Sequence, residues 1–141
     1  MESAVPNSQP QKLAYWLILL ISATTVISGL VQLAWPQFVL GLVGADRNPT
    51  SEQLFSTIGM FMALFGGMLL QAMRSPSSQS VAIFWSALQK FGACAAVIFG
   101  VERQVFSVLA LAIAAFDGLS GCLIFWYWLQ SRPQSRPQPR D

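Results

Sequence analysis

The amino-acid sequence predicts an all-α membrane protein: four transmembrane helices in an up-down bundle, with a short interfacial segment after the first. Three observations predict it. Of the 141 residues, 54% are hydrophobic and only 10% charged, and mean hydropathy is +0.53; in soluble domains about a quarter of residues carry charge. The apolar residues fall into four blocks, 13–35, 53–73, 81–100 and 105–129, and each supplies the ~20 residues a helix needs to cross ~30 Å of hydrocarbon. No block alternates apolar and polar positions as a barrel strand does, whereas a helix satisfies its own backbone hydrogen bonds in lipid.

Residues 1–12 are polar, with Lys12 their one lysine, and read as a disordered N-terminal tail. The first block opens on Tyr15 and Trp16 and closes on Trp35, aromatic residues suited to the two membrane interfaces. It is about twice as long as the 7–15 residue apolar core of a signal peptide. A small-residue stretch ending at Ala34 supports that alternative, but length favours a span. Next comes PQFVLGLVG, 36–44, apolar yet too short to span, and so expected to lie at the non-cytoplasmic interface with Trp35 and Phe38. Before the second block, Thr50 is a candidate helix cap, with Gln53 closing a capping box.

The connection RSPSSQS, 74–80, is short and polar, so the second and third spans are expected to be antiparallel neighbours. Only 101–104 separate the third span from the fourth, which ends in Phe125, Trp126, Tyr127 and Trp128. Residues 130–141 are rich in Pro and Arg and too poor in apolar residues to fold, giving a disordered tail. Its arginines suit anionic lipid, at about 1 kcal/mol each near the surface.

Charge sets the orientation. With four spans, both termini share one side with 74–80, and that side holds Lys12, Arg74, Arg132, Arg136 and Arg140. The other side has Arg47 and Arg103 beside Asp46 and Glu102. The excess of basic residues places both termini in the cytoplasm.

Two charges interrupt this pattern. Lys90 lies inside the third block and Asp117 inside the fourth. A charge at membrane depth is costly and marks either an internal pair or a ligand or proton pathway. Folding the two spans back at 102–103, with ~1.5 Å rise per residue, places Lys90 about 19 Å and Asp117 about 22 Å from the turn. The depths agree within a lysine's reach, so an intramembrane ion pair Lys90–Asp117 is expected, with Gln89 a possible polar neighbour. A structural clamp is the first reading of the pair. A relay needs further titratable groups toward each surface, and the spans carry no histidine and no second carboxylate. Small residues at helical spacing point to close packing: Ser22, Thr25 and Gly29; Gly59, Ala63 and Gly67; Gly92, Ala96 and Gly100; Ala110, Ala114, Asp117 and Gly121.

The absence of histidine excludes bis-His haem and a Ser-His triad and leaves no usual catalytic zinc site. The depths of Cys94 and Cys122 differ by about 16 Å on the same turn arithmetic, too far for a disulfide. No spacing suits a phosphate loop or a metal. Catalytic, cofactor-binding and metal-ligating residues are therefore none, and the chain is expected not to be an enzyme.

With its four spans, the WPQFVLGLVG stretch, and a Lys in the third span facing an Asp in the fourth, the chain loosely resembles small four-helix integral membrane proteins of bacteria, including those described as DoxX-like. The resemblance implies a bacterial inner membrane and an architecture, and carries no catalytic motif. Two functions remain in view. One is a non-enzymatic accessory or assembly factor of a larger membrane complex. The alternative is a small oligomeric transporter or ligand-binding membrane protein using Lys90 and Asp117. The expected partners are the lipid bilayer and a membrane protein or a second copy, with no nucleic acid.

Overall fold

A computed structural model describes residues 9–75 and 79–131. Their order is α1 (Gln9–Ala34), α2 (Pro36–Val43), α3 (Pro49–Ala72), α4 (Gln79–Glu102), a single 3-10 turn (Val108–Ala110) and α5 (Leu111–Gln130). Among the described residues there is no strand. Helices α1, α3 and α4, and the run from Val108 through α5, are each long and apolar enough to cross a membrane.

The helix ends differ from the sequence expectation for local reasons. Helix α1 begins at Gln9, inside the stretch read as a tail, with Pro10 in the first turn, where no backbone N–H donor is needed. Residues 1–8 and 132–141 lie outside the described residues. Helix α3 starts at Pro49, not at a Thr50 cap. Asn48 is the cap: its Oδ1 accepts from the Ser51 N–H at 3.0 Å, and Ser51 Oγ accepts from the Asn48 N–H at 3.0 Å. That reciprocal box leaves Thr50 and Gln53 inside the helix, and Pro49 supplies a φ already suited to its first turn.

The segment after the first span folds as the short helix α2. It ends at Gly44, in the left-handed region at φ 67°, and the Ala45 and Gly44 N–H groups return to Leu40 O and Gly41 O at 2.9 and 3.3 Å. This pairing is a Schellman cap. Gly44 is required twice, because a Cβ there would also sit 2.8 Å from Ser107 Cβ. Helix α4 ends the same way with a side chain in the left-handed position. Gln104 has φ 59°, the Val105 N–H donates to Gly100 O at 2.8 Å, and the Gln104 N–H donates to Val101 O at 3.0 Å. The turn thus extends past the expected 101–104, and the next helical turn starts only at Val108. The Ser107 N–H then donates to Val43 O at 2.7 Å and ties α2 to this corner.

The helices pack most extensively as two pairs, α1 with α3 and α4 with α5. In the first pair backbones nearly touch. A Cβ on Gly59 would lie 2.6 Å from Leu33 N and 2.7 Å from Gly29 O, and one on Gly66 would lie 3.0 Å from Val26 N. Contacts advance along α3 as they retreat along α1, the order of an antiparallel pair. Two side chains cross the seam: Gln32 Nε2 donates to Phe55 O at 3.0 Å, and Ser56 Oγ donates to Leu33 O at 3.1 Å. The two pairs join through an apolar cluster that includes Ile18, Leu69, Met73, Ile83, Ala87 and Ile124.

Gly67 and Gly92, expected at helix contacts, instead have open space around them. The helical period explains the shift. Two steps of four residues overshoot two full turns by about 80°, whereas seven residues fall short of them by about 20°, so the seam runs from Gly59 to Gly66 and leaves Gly67 aside. Gly59→Ala is therefore expected to destabilise by about 1–3 kcal/mol, because backbone must move to admit the methyl. Gly67→Ala and Gly92→Ala are expected to be neutral or to stabilise by up to about 1 kcal/mol, the helix-propensity gain. Denaturant unfolding of the three variants in detergent micelles measures the contrast.

Candidate functional site

Lys90 and Asp117 meet between α4 and α5. Lys90 Nζ donates to Asp117 Oδ1 at 2.6 Å, and the two side chains are 4% and 7% exposed. The contact is short because it is charge-assisted. The turn places it: Lys90 and Asp117 are nearly equidistant along the chain from Gln104, and Phe106 folds against Gly100 to hold the two helices in register. The lysine ammonium also lies 5.2 Å from the centroid of the Phe116 ring, within cation–π range.

Helix packing closes the pair in. Gly121 accepts the Phe91 ring and Gly118 accepts the Cys94 sulfur, each by lacking a side chain at the contact. Ala87 on α4 and Ala114 on α5 are buried on the same faces as the charges. One turn from Lys90 is Ser86, and one turn from Asp117 is Ser120, both buried. The Ser86 hydroxyl has no hydrogen-bond partner among the described residues. These two serines were not singled out from sequence, although their spacing of four and three residues from the charges was the available signal.

Gln89 is half-buried and makes no hydrogen bond to the pair among the described residues. Adjacent helical residues point ~100° apart, so a neighbour in sequence is not a neighbour on the face. Two buried hydroxyls of α1 are committed, Ser22 Oγ donating to Ile18 O at 2.7 Å and Thr25 Oγ1 to Ile21 O at 2.8 Å. Ser107 Oγ, at the α2 corner, like Ser86 has no partner among the described residues. Cys94 and Cys122 are free thiols. Among the described residues no group of three His, Cys, Asp or Glu side chains comes together as a metal site would.

Every other described Asp, Glu, Lys or Arg lies near a helix end or in a connection: Lys12, Asp46, Arg47, Glu52, Arg74, Glu102 and Arg103. Near the α2 corner, Glu52 Oε2 accepts from Gln37 Nε2 at 3.0 Å, while Arg47 lies over Gly41. Asp46, Arg47 and Glu52 therefore serve different contacts and do not form one cluster. No protein-family model matches the chain, and no curated protein or solved structure matches it. Its chemistry rests on this geometry alone.

A buried pair broken on one side leaves a bare charge, at about 3–5 kcal/mol. Lys90→Ala and Asp117→Ala are each expected to reduce the accumulation of folded protein sharply, and the exchange Lys90→Asp/Asp117→Lys to restore part of it. Fluorescence-detected size exclusion of tagged variants reads the outcome. Normal accumulation of both single variants would remove the clamp role.

Proposed function

We propose that the chain is a non-enzymatic integral membrane protein, an up-down bundle with both termini in the cytoplasm, that acts as an accessory or assembly component of a larger membrane complex. The observation that carries this reading is how the molecule divides its polar and apolar surface. Its two mid-helix charges are spent on one another inside the α4–α5 pair, while the most apolar windows of the four long stretches are only 17–33% buried within the bundle. What faces outward is apolar side chain, from Trp16 and Leu20 on α1 to Leu119 on α5. Such a surface suits lipid and the helices of other membrane proteins, held by dispersion and small-residue contacts. Helix α2, with Leu40 and Val43 turned inward and Phe38 and Leu42 outward, suits the non-cytoplasmic interface. The bacterial inner membrane belongs to the same proposal.

One observation favours the second reading, a small oligomeric transporter or ligand-binding protein. The unpartnered Ser86 hydroxyl stands one turn from Lys90, and buried polar groups ordinarily find a partner.

Native size after mild detergent extraction separates the two. The accessory reading expects comigration with a complex several times the 15.4 kDa chain mass. A homo-oligomer that binds a small molecule, with binding lost in Ser86→Ala and the fold intact, would establish the second reading in its place.

A further inference from the structure

The two helix pairs do not close against each other along their whole length. Between α3 and α4 a groove of about 1010 Å³ opens on the outer surface, and its walls change character along the helix axis. Phe61, Leu64, Phe65 and Met68 make the apolar stretch, with Trp85 lining it from α4; Gln71 and Ser75 stand at the end nearest the connection. From Phe61 to Gln71 is ten residues of helix, ~15 Å of rise. That is about half of the ~30 Å hydrocarbon thickness. The groove is thus one leaflet long.

We propose that this groove is a binding site for a single anionic phospholipid. An acyl chain lies along Phe61, Leu64 and Met68, and the headgroup phosphate sits at the mouth beside Gln71, Arg74 and the first turn of α4. The proposal rests on the membrane reading above.

Length decides against a partner helix, which would lie along both leaflets rather than one. Charge decides the headgroup. Arg74 is exposed and directly precedes Ser75 at the mouth, and among the described residues no acidic side chain lines the groove. Helix α4 starts at Gln79 with no acidic residue in its first turn, so the positive end of its dipole meets the same place. The opposing end of α3 offers less repulsion than a bare helix terminus would. The Arg74 and Ser75 N–H groups already return to Gln71 O and Ala72 O at 3.0 and 3.3 Å. An apolar groove between helices with one exposed arginine next to its polar end has the chemistry that an anionic lipid requires.

The test uses the full chain, purified in mild detergent, washed free of loosely held lipid and given equal amounts of dioleoyl phosphatidylglycerol and dioleoyl phosphatidylcholine. Native mass spectrometry counts what is retained. One phosphatidylglycerol per chain is expected, with Arg74→Gln lowering the selectivity over phosphatidylcholine about fivefold, the share of one arginine near a phosphate. Ala82→Trp, which fills the groove, is expected to abolish retention of both lipids. Because a bulky variant can misfold, Arg74→Gln, on an exposed side chain, carries the decision. Equal retention of the two lipids, or selectivity unchanged by Arg74→Gln, overturns the site. A mass showing a second chain in place of lipid, lost on Ala82→Trp, overturns it in favour of a protein occupant. Alkaline carbonate extraction of the cell membranes keeps the two levels apart. A chain that stays in the membrane but shows no lipid preference sinks this site alone, and a chain that washes off sinks the membrane reading as well.

Discussion

A lysine and an aspartate set at mid-helix in an apolar chain leave the fold little choice. Each charge alone costs several kcal/mol in a medium of low dielectric, so arrangements that separate Lys90 from Asp117 are removed from the set of competing packings. The contact fixes more than proximity. It selects the rotation of α4 that carries Ile83, Ala87 and Lys90 inward, and the rotation of α5 that carries Ala114, Asp117, Gly121 and Ile124 inward. It also fixes register, since slipping either helix by one residue turns its charge ~100° off the shared face. The small residues at 114, 118 and 121 then matter because they let the two backbones come near enough for one lysine to reach.

The other pair is held by different means. Helices α1 and α3 have no charge between them and rely on backbone approach at Gly29, Gly59 and Gly66, with Gln32 and Ser56 reaching across to carbonyls. Helices apolar enough to cross a membrane, as these are, would gain little from apolar burial against each other in lipid, so close packing and interhelical hydrogen bonds are the forces that suit them. Connections add to both. The Asn48–Ser51 box, the Gly44 cap and the Ser107 N–H bond to Val43 O fix one end of the molecule in sequence-local detail, while the apolar cluster around Ile18 and Ile83 joins the pairs at the other.

These forces explain what was legible in the sequence. The four long helices are read from length and hydropathy because both are properties of single segments. The Lys90–Asp117 contact could be expected because a short turn converts distance along the chain into depth. Boundaries were harder: Asn48 and Thr50 both look like caps, and the reciprocal Asn48–Ser51 hydrogen bonds, with Pro49 at the first helical position, select Asn48. Gly66 and Gly67 are indistinguishable as letters, and the choice depends on the seam that α1 imposes. Gln89 failed as a neighbour of Lys90 for the related reason that faces, and not adjacency, bring side chains together. The groove between α3 and α4 had no sequence signal at all, because it is a property of how two finished pairs fit.

That fit follows from where α4 leaves the core. Its buried residues are Ile83, Ser86, Ala87 and Lys90, and beyond Lys90 none is buried, whereas α5 stays buried in places from Ala114 to Tyr127. Helix α4 is therefore clasped to α5 by charge at the point where its contact with the rest of the bundle ends. Beyond it the Cys94–Gly118 and Phe106–Gly100 contacts help to keep the second half of α4 in register against α5. The ion pair adds a contact that apolar surroundings cannot replace. A helix so clasped can present Trp85, Leu88 and Phe99 outward without losing its place. That combination, an internally fixed helix with an open apolar face, lets α4 keep its place while much of its apolar surface stays outside the bundle.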